Sequence, residues 1–124
     1  MVKDVKTEHC KFLEKSIHHL EARGFSDIKA AFDGYESPKS FLRKNGGASI
    51  TPDIVANKGG IKFFFELSLK TEDPQLLKSK WLFLDTLSRM RSNNFRIITT
   101  KGHYKFTENM LHDINLTTKV PIKI

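Results

Sequence analysis

A chain of 124 residues is long enough for one compact domain with a single core and too short for two. An apolar fraction of 39% with ten phenylalanines argues against a disordered polymer, and the lone Cys10 excludes an internal disulfide. No apolar run approaches the roughly 20 residues of a bilayer span, so no membrane partner is expected. The first residues, MVKDVKTEHCK, carry no apolar leader, and a cytoplasmic, reducing setting is expected. A formal net charge of +7 and a pI near 9.6 admit an anionic partner. Most of the excess lies between Gln75 and Ile124, where nine Lys or Arg face only Asp85, Glu108 and Asp113. Such a face is either a solvated lysine-rich surface or a phosphate-binding one.

In chain order, Thr7 to Arg23 sets Cys10, Leu13, Ile17 and Leu20 on one helical face, and Gly24 supplies the stop. In SDIKAAFDGY, Ile28, Ala30 and Phe32 alternate with polar or small neighbours, which predicts a short strand ending at Asp33-Gly34. ESPKSFLRKNGGAS, with Pro38 and Gly46-Gly47, reads as a loop whose Lys39, Arg43 and Lys44 are placed to touch a substrate. TPDIVA and IKFFFELSL read as strands joined by NKGG, a hairpin signal in which Gly59 and Gly60 supply positive φ. After Pro74, Leu77, Trp81, Leu84 and Leu87 fall at helical spacing. NNFRIITT then reads as a strand, YKFTENMLHDI as a helix, and KVPIKI as an edge strand that tolerates Pro121. The expected fold is a single α/β domain over residues 1–124, a central mixed sheet flanked by helices in the order α-β-loop-β-β-α-β-α-β.

The residue that stands out is Glu66, a carboxylate directly after three phenylalanines. A buried carboxylate is costly unless a cation, a metal or hydrogen bonds compensate it. Alternation along the strand puts Phe64, Glu66, Ser68 and Lys70 on one face, and an antiparallel hairpin brings Asp53 within a few residues of Glu66. Two carboxylates at one end of a hairpin suit a hard divalent cation, which keeps waters for a phosphate and a nucleophile. A nearby lysine can stabilise charge developing on phosphorus.

Pro52-Asp53 followed thirteen residues later by Glu66 resembles the PD-(D/E)XK nuclease superfamily, whose restriction-endonuclease-like αβββαβ core has a similar order of elements. The resemblance implies a nuclease that uses Mg²⁺ or Mn²⁺, with Asp53 and Glu66 as metal ligands, a lysine assisting hydrolysis and a glutamate on the first helix as an auxiliary acid. Glu14 is the best counterpart of that glutamate by position, with Glu8 and Glu21 weaker. The motif's lysine position, two after the acid, holds Ser68. Lys70, one same-face step further and roughly 7 Å along at ~3.4 Å per residue, is the displaced lysine that could reach back.

The leading expectation is therefore Mg²⁺-dependent hydrolysis of nucleic acid, DNA favoured. The alternatives are the same fold binding nucleic acid or a protein without hydrolysis, or a small structural subunit, since short members of the fold can pair as homodimers through sheet edges or helices. Each residue also has a plain structural explanation. Asp53 can start a strand or cap a turn, Glu66 can pair with Lys70 or Lys62, and Glu14 can pair with His18 at (i, i+4). His9, Cys10, His18 and His19 lack the paired spacing of structural zinc sites. Lys101, His103 and Lys105 follow a strand, where they meet phosphate or solvent. Lys78, Lys80, Arg89 and Arg91 read as an exposed helix face, although Lys80 and Trp81 closely follow the motif strand. No glycine-rich phosphate loop and no Ser-His-Asp arrangement is readable.

Overall fold

The computed structural model describes residues 5–42 and 49–124, so Arg43, Lys44 and the Gly46-Gly47 pair lie outside the described residues. Helix α1 (Val5–Ala22) ends at the glycine the sequence marks. Gly24 takes φ +88°, Phe25 N–H donates to the Leu20 carbonyl at 3.1 Å, and Gly24 N–H donates to the Glu21 carbonyl at 3.1 Å. These two bonds satisfy carbonyls that the last helical turn would otherwise leave open, and they need a residue that tolerates positive φ.

Strand β1 (Ser26–Ala30) is shorter than the alternation predicts. Its pairing shifts between Ser26 and Lys29, where Asp27 sits at φ 51°, and the chain turns after Ala30, so Phe32 packs on the core from outside the strand. Strands β2 (Ile54–Lys58) and β3 (Ile61–Ser68) form the predicted hairpin. Gly59 and Gly60 both have positive φ, as a two-residue turn of the right twist requires. That turn fixes the register, Lys58 against Ile61 through Ile54 against Phe65, and extending it by one pair sets Asp53 opposite Glu66.

Helix α2 (Pro74–Met90) begins at an Asp73 cap whose side chain accepts the Leu76 N–H, with Pro74 at its first position, where a missing N–H costs nothing. It carries the chain back so that β4 (Asn94–Thr99) lies parallel to β3. Helix α3 (Tyr104–Asp113) follows, and β5 is only Ile122–Lys123, parallel to β4 after Pro121. The sheet order is β1-β2-β3-β4-β5, a five-stranded mixed sheet with three helices.

The alternation of β3 divides the core. Phe63, Phe65, Leu67 and Leu69 pack with Leu13, Ile17 and Leu20 of α1. Phe64 points the other way, into a cluster with Trp81 and Leu84 of α2 and Met110 and Leu111 of α3. Burying each such side chain is worth about 1.5–3 kcal/mol, enough to fix both faces. Among the described residues no helix is long and apolar enough to cross a membrane.

Candidate functional site

Glu66 belongs to the face of β3 covered by α2 and α3, and it has no exposed surface. Its Oε2 accepts the Asp53 backbone N–H at 2.8 Å. Asp53 returns the contact one residue along, its Oδ2 accepting the Leu67 N–H at 2.9 Å. The two carboxylates thus clasp the mouth of the hairpin, each held by backbone of the other strand. Their second oxygens are the ones left for chemistry, and both meet the same cation. Lys80 Nζ of α2 lies 3.1 Å from Glu66 Oε1 and 3.5 Å from Asp53 Oδ1. Glu66 Oε1 has no well-angled hydrogen bond and is compensated by the charge of that ammonium.

The electrostatics follow from burial. Loss of water, and then the charge on Asp53, push the Glu66 carboxyl well above the ordinary carboxylate range, against the pull of Lys80. Burial also disfavours the Lys80 ammonium, but the negative charges of Glu66 and Asp53 outweigh it and raise its pKa. Lys80 and Asp53 side chains keep 25% and 19% of their surface, so the buried carboxylate is reached from solvent through those two groups.

The predicted site residues separate into two sets. Asp53 and Glu66 are brought together. Lys70 lies beyond the end of β3, exposed, and has no ion pair with either carboxylate among the described residues; its backbone N–H donates to His103 Nδ1 at 2.9 Å. The lysine beside the carboxylates is Lys80, from the next helix. Glu14 is exposed on α1, the helix on the opposite face of the sheet, and makes no ion pair or hydrogen bond among the described residues. Glu8 instead approaches His103, Oε1 to Nε2 at 3.4 Å, and Glu21 accepts the Tyr35 hydroxyl at 3.0 Å.

Ser68 explains why the motif's own lysine position stays empty of charge. It is fully buried beneath α3. Thr107 Oγ1 lies 2.7 Å from its hydroxyl, 3.0 Å from Thr99 Oγ1 and 2.8 Å from the His103 carbonyl. A carbonyl only accepts, so Thr107 donates to His103 and receives Ser68. A lysine there would replace a satisfied hydroxyl, sealed under α3, by a bulkier ammonium that has to be buried.

Lys80 departs from the exposed helix face expected for it. It stands three residues after Leu77 and four before Leu84, inside the apolar stripe rather than beside it. A lysine in a buried stripe is the sequence signal that marks it. Lys78, by contrast, pairs with Asp113 at 3.0 Å, and Arg89 with Asp85 at 3.1 Å.

Among the described residues no group of three or more His, Cys, Asp or Glu side chains converges to hold a metal. The donor set that does converge is two carboxylate oxygens with a lysine between them. Mg²⁺ is commonly held by one or two carboxylates plus waters and phosphate oxygens, and Asp53 and Glu66 are the carboxylates such an ion would use here, in place of their contact with Lys80. Comparison with protein-family models, with curated proteins and with solved structures finds no match to this chain.

Proposed function

We propose that the chain is a nuclease-like protein of restriction-endonuclease-like fold that hydrolyses phosphodiester bonds, DNA favoured, with Asp53 and Glu66 as ligands of Mg²⁺ or Mn²⁺ and Lys80 in the place of the lysine that Ser68 lacks. The observation that carries this reading is the convergence of Asp53 Oδ1 and Glu66 Oε1 on the Lys80 ammonium at the mouth of the hairpin. The resemblance of Pro52-Asp53 and Glu66 to the PD-(D/E)XK pattern supports it.

A bound divalent cation would supply a polarised phosphoryl oxygen and an activated water. The protein's part is positioning and charge. The hairpin clasp aims two oxygens in one direction at no cost in side-chain freedom, because each carboxylate is fixed through its other oxygen. Burial makes the Glu66 carboxylate hard to form without positive charge beside it, and a divalent cation would stabilise it as the Lys80 ammonium does. Lys80, whose side chain keeps 25% of its surface, would be free to offer its ammonium to a phosphate oxygen if the carboxylates took another positive partner.

The test is cleavage of plasmid DNA and of RNA by the purified chain with MgCl₂ or MnCl₂. Cleavage is expected to stop with EDTA, to be lost in Asp53→Ala, Glu66→Ala and Lys80→Met, and to survive in Lys70→Ala and Glu14→Ala. No cleavage at high protein concentration overturns the hydrolytic reading. One observation favours a second reading, nucleic-acid binding without hydrolysis: the Lys80 ammonium already pairs with both carboxylates and fills the position between them without a metal. A salt-sensitive DNA complex without cleavage assigns that role.

A further inference from the structure

A second pocket lies on the other side of the sheet, at the Lys58–Ile61 end of the hairpin and against the end of α1. Its volume is about 530 Å³, within the range of small-ligand sites. Arg23, Lys58, Arg96 and Lys123 line it together with His19, over a floor that includes Phe25 and Phe63. Among the described residues that line it there is no carboxylate.

Three permanent cations on one face of the sheet, Arg23, Lys58 and Arg96, repel one another unless an anion joins them. The negative end of the α1 dipole accounts for Arg23 alone. Two of these cations are also held in place: Lys58 Nζ sits 5.1 Å from the centre of the Phe25 ring, and an Arg96 Nη2 donates to the Val120 carbonyl at 3.3 Å, whereas the Lys123 ammonium lies 5.0 Å from the Tyr104 ring of α3, on the other face of the sheet. Such anchoring lowers the side-chain entropy a ligand must overcome. His19 is held below its usual range by burial and then by the Arg23 charge, so it lines the pocket as a neutral group able to donate and to accept.

We propose that this pocket binds a nucleotide, its phosphates among Arg23, Lys58 and Arg96 and its base over the apolar floor of Phe25 and Phe63. The shared chemistry is a phosphate ester bearing a flat ring, supplied as a free nucleotide or as the 5′ end of a single strand. This site is separate from the Asp53–Glu66 pair and does not depend on hydrolysis there.

Calorimetric titration of the full chain at physiological salt uses ADP, adenosine, and a tetranucleotide with and without a 5′-phosphate. Saturable binding of ADP or of the phosphorylated strand is expected, with the unphosphorylated counterpart at least about tenfold weaker, equivalent to about 1.4 kcal/mol. ADP binding assigns the free nucleotide, and binding of the phosphorylated strand alone assigns the strand end. Lys58→Glu with Arg23→Glu, both exposed positions, should abolish binding while thermal unfolding without ligand shows an intact fold. Asp53→Ala should leave it unchanged, which separates this site from the hairpin pair. Equal affinity with and without phosphate, no binding of either phosphate ester, or unchanged affinity in the double variant overturns the proposal.

Discussion

Replacing Lys80 with methionine keeps most of the stem and deletes the charge between Asp53 Oδ1 and Glu66 Oε1. Glu66 is wholly buried, so its carboxylate has no water to turn to. Removing one partner of a buried ion pair costs about 3–5 kcal/mol. Lys80 is in touch with solvent and Glu66 can take up a proton, so the expected loss near neutral or mildly alkaline pH is smaller, about 2–3 kcal/mol. For a chain of 124 residues the unfolding entropy is about 0.26 kcal/mol/K, which converts this loss into a fall in Tm of about 8–12 °C. The pH dependence has a definite sign. Glu66 already sits above its ordinary value of 4.5, through burial first and Asp53 second, and Lys80 is what pulls it back. Without Lys80 it rises further, so the folded variant holds a proton that the unfolded chain releases. Its stability then falls as pH rises from about 4.5 toward the folded-state pKa, and the gap to the parent chain is widest on the alkaline side. Calorimetric or urea unfolding across mildly acidic to mildly alkaline pH measures this directly. Adding Glu66→Gln to Lys80→Met removes both charges and should restore most of the loss. An unchanged Tm at alkaline pH, or a deficit that widens on acidification, would refute the idea that Lys80 compensates Glu66.

Three further outcomes follow from the geometry. Ser68→Lys, which writes the literal motif back, should destabilise by about 2–4 kcal/mol and give no gain in cleavage, because the position is sealed under Thr107; urea unfolding and the plasmid assay check both halves. Thr107→Val keeps the shape but strands the Ser68 hydroxyl, while the His103 carbonyl still accepts the residue 107 backbone N–H, a loss of about 1–3 kcal/mol readable by thermal unfolding. Asp85→Ala removes the buried partner of Arg89, at 3.1 Å, and of Lys119, at 3.3 Å. A loss of about 2 kcal/mol is expected, with faster amide exchange in the segment that Lys119 ties to the Phe95 carbonyl.

The order of elements was legible because each leaves a local mark. Gly24 stops α1, Gly59-Gly60 turns the hairpin, Pro74 opens α2, and the period changes from two to about 3.6 after Leu69. Once the two-residue turn is read, the pairing of Asp53 with Glu66 is arithmetic on the register. What depends on three-dimensional placement was not legible. Lys70 and Ser68 share a face with Glu66 in an ideal strand, yet the strand ends at Ser68 and α3 closes over it. The cation that Glu66 receives arrives from fourteen residues later, where the line of α2 across the sheet puts Lys80 over the hairpin mouth. Helical spacing marks Lys80 as inward but says nothing of what it meets. Alternation carries the first strand on to Phe32, but the chain turns after Ala30, where the Phe32 N–H donates to the Ala30 carbonyl at 2.8 Å, a local turn that alternation alone does not reveal.

The clasp at the hairpin mouth has a consequence for folding fidelity. If β3 slipped by one residue against β2, Glu66 would turn from the Lys80 side into the phenylalanine layer beneath α1, and Asp53 would lose the Leu67 amide. A run such as IKFFFELS is otherwise nearly indifferent to that slip, since phenylalanines stand on both of its faces. The single charge supplies the discrimination that the rings lack. The most expensive side chain in the strand is thus also the one that tells the chain which of two nearly equivalent sheets to build.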